Sequence, residues 1–193
     1  MVCNLFKRKY FRDSISTITK ASLDDYHNES MVISDIPVVN FDYATELYCN
    51  DKNIPKLYSD DAILPLKKNR MVLIEFKNGK ITRKVKSNIY KKNIDSIFVC
   101  SDILEETEDE LKEDTDYILV YNYEKNNHKQ ECNGNNDIEQ TVEFDFIANE
   151  LNSFSDSNYV AFGLKKKFSN NFKSIYTFTV PQFKNYLQKL NIN

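Results

Sequence analysis

Two short apolar segments, separated by a lysine-rich turn, constrain this chain more than any other part of its sequence. The first segment reads Asp61-Ala-Ile-Leu and the second reads Val72-Leu-Ile-Glu-Phe-Lys77. Both are typical of β-strands, and Lys67-Lys68-Asn69 between them predicts a hairpin. Side chains alternate between the two faces of a strand, so Glu75 and Lys77 share one face and Phe76 points to the other. The hairpin then places Asp61 alongside Glu75 and Lys77.

An acid on one strand and a Glu-x-Lys on its neighbour are the residue types that a magnesium-dependent phosphodiester hydrolase needs. Two carboxylates can bind a hard divalent cation, and an ammonium stabilises charge on a phosphate. The alternative is an ion pair between Glu75 and Lys77 on a solvated face, which contributes roughly a few tenths of a kcal/mol. Asp60 is an alternative to Asp61, and strand alternation allows only one of them on the face of Glu75. Asp61 is preferred because an apolar strand follows it directly.

The composition is that of one globular domain. The chain has 193 residues, of which 41% are apolar and 28% are charged, so it is long enough for one domain with a core and too short for two comfortable ones. Four scattered cysteines and two histidines do not predict a zinc site, and reduced thiols fit a cytoplasmic location. No apolar run approaches the roughly 20 residues that span a bilayer, so we expect a soluble protein with no membrane partner.

Charge is distributed unevenly along the chain, although the net charge is only −3. The cations between residues 67 and 92 are Lys67, Lys68, Arg70, Lys77, Lys80, Arg83, Lys84, Lys86, Lys91 and Lys92, and Glu75 is the only acid among them. This basic block coincides with the candidate site, where a phosphate backbone would lie, although a solvated face is the alternative. From residue 102 to residue 116 the balance reverses, and the acids there are most simply a solvated face.

The remaining pattern predicts alternating helices and strands. Residues 1–22 are expected to be mixed helical or irregular, followed by a strand at 31–33 and a helix at 43–48 that Asn40 or Asp42 caps. Strands at 60–66 and 70–77, a helix at 82–100 and a strand at 117–122 come next. The C-terminal part is expected to contain a helix near 139–152, a strand at 175–180 and a helix from Pro181 to Leu190. The apolar stripe of helix 82–100 consists of Val85, Ile89, Ile94, Ile97 and Phe98. The acidic stretch is expected as a loop or helix end, and residues 160–163 as a strand or the start of a helix.

An acid on one strand, Glu-x-Lys on the next, a helix and then a buried strand resemble the core of the PD-(D/E)XK nuclease superfamily. Leu73-Ile-Glu-Phe-Lys-Asn-Gly79 is similar to this motif in many bacterial members, and the tract from Asn88-Ile-Tyr through Asp95-Ser-Ile-Phe resembles small uncharacterised members from low-GC bacteria. The resemblance covers about residues 41–123. The proline before the first acid is absent. The resemblance implies an α/β (α+β) fold with a restriction-endonuclease-like mixed central sheet flanked by helices. One domain then spans residues 1–193, with its core at about 41–123, a flexible insertion at 124–137 and C-terminal helices and a strand at 138–193.

The resemblance also implies roles for individual residues. Asp61 and Glu75 would bind Mg²⁺ or Mn²⁺, together with the Phe76 carbonyl, and Glu46 on the preceding helix would be a further ligand. Lys77 would orient the attacking water and stabilise the transition state. The predicted nucleic-acid-binding residues are Lys80, Arg83, Lys84 and Lys86, of which Lys86 would reach a phosphate.

Two functions from different classes follow. The first is a metal-dependent nuclease, with DNA favoured over RNA as the substrate, in defence or in a mobile element. The second is a catalytically inactive nuclease-like binding module, such as an antitoxin, immunity or inhibitor protein, whose acidic segment 102–116 docks on a basic protein partner. A small-molecule enzyme is not supported, because the sequence has no glycine-rich phosphate loop and no nucleophile elbow. The oligomeric state is left open, with a homodimer among the options.

Overall fold

The computed structural model describes residues 4–24, 27–126 and 160–190. The strands within these ranges are β1 (Ile15–Thr17), β2 (Leu23–Asp24), β3 (Glu29–Ser30), β4 (Pro37–Asn40), β5 (Ala62–Pro65), β6 (Met71–Lys77), β7 (Thr115–Tyr121) and β8 (Ser174–Thr179). The α-helices are α1 (Lys9–Arg12), α2 (Ile18–Ala21), α3 (Phe41–Lys52), α4 (Arg83–Leu104), α5 (Glu108–Asp114), α6 (Tyr123–Asn126), α7 (Leu164–Phe168) and α8 (Val180–Lys189). None of the helices in these ranges has both the length and the apolarity that a membrane crossing requires.

A mixed six-stranded sheet forms the centre of a single α/β domain, in the order β1-β4-β5-β6-β7-β8. The pairs from β1 to β6 are antiparallel, whereas β6, β7 and β8 run parallel. Parallel neighbours require a crossover connection, and α4 and α5 provide it between β6 and β7. β2 and β3 form a separate two-stranded ribbon.

Helices cover both faces of the sheet, which explains why its central strands are almost continuously apolar. On one face, Leu73 and Leu119 pack with residues of α3, α4, α5 and α7. On the other face, Val72 and Ile118 pack with residues of α2 and α8. β6 is buried from Met71 to Phe76, and Glu75 is the single charged residue within that run.

The predicted hairpin is present as β5 and β6, paired antiparallel from Ala62 opposite Ile74 to Pro65 opposite Met71. Its turn, at Lys67–Asn69, lies at the far end of the strands from Asp61 and Lys77. Arg70 and Lys77 are seven residue steps apart along an extended chain, which is about 23 Å at the usual rise. The prediction that the whole basic block coincides with the site is therefore wrong for its first part, because a hairpin carries its turn away from its open end.

The predicted cap of α3 is confirmed, since the Asn40 side-chain oxygen accepts a hydrogen bond from the Tyr43 N–H at 3.0 Å. The predicted stripe of α4 is only partly right. Ile89 and Ile97 are buried, whereas Ile94 and Phe98 are 62% and 52% exposed. The reason is that polar residues of α4, described below, occupy part of its buried face.

Several predicted elements are corrected. Residues 1–22, expected to be helical or irregular, contain strand β1. No strand forms at residues 31–33, and the next strand of the main sheet is β4, which begins with Pro37. Proline is tolerated as the first residue of a strand, but it is rare inside strands, so the sequence pattern did not predict β4. The acidic stretch forms its own helix, α5, because Thr107 and Glu110 make a reciprocal capping box. Of the two alternatives predicted for residues 160–163, the start of a helix is confirmed, because a 3₁₀-helix at Ala161–Gly163 leads directly into α7. The helix expected near 139–152 and residues 127–137 of the expected insertion lie outside the described residues.

The two faces of α4 give a matched test of this packing. Ile89→Ala removes a fully buried side chain and should lower the free energy of unfolding by about 2–5 kcal/mol. Ile94→Ala is the same substitution on the exposed face and should stay within about 0.5 kcal/mol of the wild type. Urea unfolding of the two variants measures the difference. Equal losses would show that α4 packs through another face.

Candidate functional site

The carboxylate of Asp61 is held beside Glu75 by the backbone of β6. Asp61 directly precedes β5, and its N–H donates to the Ile74 carbonyl at 3.0 Å. Its Oδ2 accepts a hydrogen bond from the Phe76 N–H at 2.6 Å. Asp61 thus contacts β6 on both sides of Glu75 in sequence. The register of the hairpin brings these two acids together.

Two lysines contact these acids, one from the same strand and one from α4. The Lys77 ammonium forms an ion pair with Oε1 of Glu75. Lys92 lies between the two acids, with its Nζ 2.8 Å from Oδ1 of Asp61 and 2.9 Å from Oε2 of Glu75. Glu75 is fully buried, while the side chains of Lys77 and Lys92 are 25% and 19% exposed. The structure therefore brings together the predicted Asp61, Glu75 and Lys77 and adds Lys92, which the sequence analysis did not assign to the site.

Burial sets the protonation behaviour of this cluster. Loss of hydration raises the pKa of Glu75 above its ordinary value, and the neighbouring charge of Asp61 acts in the same direction, whereas Lys92 and Lys77 lower it. Burial alone lowers the pKa of Lys92, but the carboxylates of Glu75, Asp61 and Asp42 outweigh that effect and raise it above its ordinary value. The cluster thus holds Lys92 as a buried cation.

Helix α3 contributes acids beside this cluster. Asp42 accepts a hydrogen bond from the Ser59 hydroxyl at 2.6 Å, and its charge acts on both Lys92 and Asp61. Glu46, the predicted further ligand, lies one turn later and pairs with the Lys56 ammonium at 3.2 Å. Residues four apart share a helix face, so this spacing could have identified Asp42 as a companion of Glu46.

Asp60 is anchored on α4 and not in the cluster. It is fully buried, and its N–H donates to the Ser96 hydroxyl at 2.8 Å. The Asn93 side-chain amide lies 3.4 Å from one Asp60 carboxylate oxygen. Asp60 and Asp61 both contact α4, through Ser96 and Lys92 respectively, because the regular strand begins only at Ala62. Only Asp61 contacts Glu75's partner Lys92.

A polar cleft of about 610 Å³ opens onto Asp61, Phe76 and Lys77. One wall is the start of α3, and another is the segment of residues 20–24 that leads into the β2–β3 ribbon. The second wall is attached to the end of β6, since the Asn78 amide donates to the Asp24 carboxylate at 2.9 Å. A cleft of this volume is in the range of ligand-binding sites. Asp61 and Lys77 of the cluster are open to solvent through this cleft.

The chemistry of the donor set suits a hard cation. Asp61 and Glu75 supply carboxylate oxygens, and the Phe76 carbonyl lies on the same strand edge as the Phe76 N–H that contacts Asp61. Oxygen ligands of this kind are those that Mg²⁺ and Mn²⁺ prefer. However, no group of three or more acid, histidine or cysteine side chains is arranged to hold a metal ion within the residues that the structure describes. Lys92 lies between the two acids.

The predicted nucleic-acid-binding residues follow β6 directly, at the same end of the sheet as Lys77. Lys80 precedes α4, and Arg83, Lys84 and Lys86 lie in its first two turns. The first three are exposed and Lys86 is half-buried. None of the ion pairs formed among the described residues involves them.

Comparison with known proteins identifies no relative. No protein-family model, curated protein or solved structure matches this chain. The function is therefore inferred from the geometry of the site.

The burial of Asp60 predicts a pH-dependent stability. Burial raises the pKa of Asp60 from 3.8 to about 7, so the folded state retains a proton that the unfolded state loses between these values. The stability contributed by this group is therefore fully present below pH 3.8 and lost as the pH rises through 7, by up to about 4 kcal/mol.

Asp60→Asn removes this proton linkage, so the variant should gain stability relative to the wild type as the pH rises from 4.5 to 7.5. Urea unfolding at several pH values measures the difference. Asp35→Asn, which removes an exposed carboxylate, controls for the change in net charge. A difference that stays constant over this pH range would show that Asp60 is charged in the folded protein.

Proposed function

We propose that this protein is a metal-dependent phosphodiester hydrolase that acts on nucleic acid, with DNA favoured over RNA. The observation that supports the proposal best is the convergence of Asp61, Glu75 and Lys77, of which Asp61 and Lys77 line a polar cleft. A solvated ion pair does not explain this arrangement, because Glu75 is fully buried in the middle of the sheet. Even when buried charges are paired, as Glu75 is with Lys77 and Lys92, their desolvation cost can exceed their mutual attraction, and a chemical role would explain why the protein carries them there.

The residues of the cluster would have two different roles in phosphodiester hydrolysis, metal binding and stabilisation of the transition state. Asp61, Glu75 and the Phe76 carbonyl would hold Mg²⁺ or Mn²⁺, which lowers the pKa of a bound water and neutralises charge on the phosphate. Lys77 is the more exposed lysine and lines the cleft. Its ammonium can turn from Glu75 to a phosphate oxygen and donate a hydrogen bond as negative charge develops there.

The topology around the cluster supports placing the protein in the PD-(D/E)XK superfamily as part of this proposal. The hairpin of β5 and β6 carries the acid and the Glu-x-Lys, and α4 connects β6 to the parallel strand β7. This is the order of elements that the resemblance implied. A restriction-endonuclease-like fold is thus the finer description that we propose for the mixed sheet.

One observation favours a second function, that of an inactive nuclease-like binding module. Lys92 neutralises Asp61 and Glu75 with both ion pairs shorter than 3.0 Å. A protein that keeps this arrangement permanently would bind a partner without cleaving nucleic acid. The exposed acidic face of α5 would then suit a basic partner.

Cleavage assays test the first function directly. We expect the wild type to cleave fluorescent DNA with Mg²⁺ or Mn²⁺ and to lose cleavage when EDTA removes the metal. Asp61→Asn, Glu75→Gln and Lys77→Met should each lower the rate by about 10²-fold or more. Asp61→Asn retains an oxygen that can accept the Phe76 N–H, so its fold should survive.

The matched control is Glu113→Gln, which makes the same chemical change on the exposed surface of α5 and should cleave like the wild type. A wild type without activity on DNA or RNA, and without a thermal shift on titration with Mg²⁺ or Mn²⁺, would favour the binding module instead.

The exposed cations beside the site predict salt-dependent DNA binding. The double variant Arg83→Glu/Lys84→Glu should weaken binding about tenfold or more in low salt, and the slope of log Kd against log salt should become less steep. Fluorescence anisotropy with a labelled oligonucleotide measures both. Lys165→Glu/Lys166→Glu makes a comparable charge reversal on exposed residues of α7 and should have a smaller effect. Equal losses would indicate a general charge effect.

A further inference from the structure

Each carboxylate oxygen of Asp61 and Glu75 already has a partner. In Asp61, Oδ1 contacts Lys92 and Oδ2 accepts from the Phe76 N–H. In Glu75, Oε1 contacts Lys77 and Oε2 contacts Lys92. A cation that bound both acids would therefore have to displace at least one lysine ammonium.

Lys92 is the lysine that such a cation would displace. It contacts both acids at 2.8 and 2.9 Å, whereas Lys77 contacts Glu75 only. A magnesium ion binds oxygen at about 2.1 Å, so it cannot share the space between two oxygens with an ammonium at hydrogen-bond distance from both. The third nearby carboxylate, that of Asp42, acts on Lys92 as well. Lys92 thus occupies the position and supplies the positive charge of a cation bound by these acids.

We propose that Lys92 is a built-in competitor of the metal ion: a divalent cation enters the site only when the Lys92 ammonium leaves Asp61 and Glu75. This inference deepens the proposed hydrolase function and rests on it. Its consequence is that the protein neutralises its buried acids without metal and binds metal more weakly than the acids alone would.

The position of Lys92 on α4 allows this exchange. Its side chain is 19% exposed, so it is not sealed in the core. Lysine has a long flexible stem and a compact charge, so its ammonium can leave one group of acids without a movement of the helix. The residues beside it on the buried side of α4, Asn93 and Ser96, hold Asp60 and keep the helix in place during the exchange.

The test is Mn²⁺ binding by the full-length protein, measured by isothermal titration calorimetry without any substrate. Lys92→Gln removes the charge and retains a hydrogen-bond donor for the carboxylates, and it should bind Mn²⁺ about tenfold or more tightly than the wild type. Lys92→Arg retains the charge and should bind as weakly as the wild type. Lys91→Met is the matched control, because it removes a charge from the adjacent exposed position, where Lys91 lies over the Tyr58 ring.

The outcomes separate this inference from the proposed function. If the wild type, Lys91→Met and Lys92→Gln bind Mn²⁺ equally, Lys92 does not compete with metal and the inference fails, while the hydrolase proposal stands. If no variant binds Mn²⁺, both fail. If Lys92→Gln is unfolded without metal, refolding by Mn²⁺ but not by NaCl of equal ionic strength supports the inference, and failure to refold overturns it.

Discussion

Glu75 is buried in β6, within a sheet that helices cover on both faces, and the fold has to stabilise its carboxylate there. A carboxylate without water must be either protonated or compensated by charge. Here Lys77 and Lys92 supply the compensation, and Asp61 shares Lys92 with Glu75. The cluster is therefore a structural necessity as well as the candidate centre of chemistry.

Three features of the structure together compensate the buried charge of Glu75. The hairpin register sets Asp61 beside Glu75, and the Phe76 N–H fixes the Asp61 carboxylate. Helix α4 brings Lys92 across the face of the sheet. Because α4 is also part of the crossover between β6 and β7, the parallel pairing of these strands and the position of Lys92 depend on the same helix.

The parts of the site that could be predicted from sequence are those within one local unit. Alternation along β6 correctly places Glu75 and Lys77 on one face, and the turn between two apolar segments predicts the hairpin that brings in Asp61. Lys92 could not be predicted in this way. It is 17 residues away from Glu75 in sequence and meets it only through the packing of α4 on the sheet. Its spacing of three residues from Ile89 places Lys92, unlike Lys91, on the apolar side of the helix, but this spacing does not show which groups it contacts there.

The errors in the fold have a related physical origin. The apolar residues of α4 suggested a stripe containing Ile94 and Phe98, but Asn93 and Ser96 take buried positions because they bind Asp60. Tertiary hydrogen bonds thus overrode the pattern of hydrophobic residues. β4 and α5 were missed for local reasons, since a proline opened the strand and a capping box stabilised a highly acidic helix.

The polar side of α4 also limits how this protein can change during evolution. An α-helix turns by about 100° per residue, so a single insertion between Thr82 and Lys92 would rotate the lysine away from both acids while also shifting Asn93 and Ser96. Substitutions on the exposed side of α4 carry no such penalty. Homologues that retain the buried acids should therefore vary in length at surface loops but have no insertion or deletion between the positions of Thr82 and Lys92.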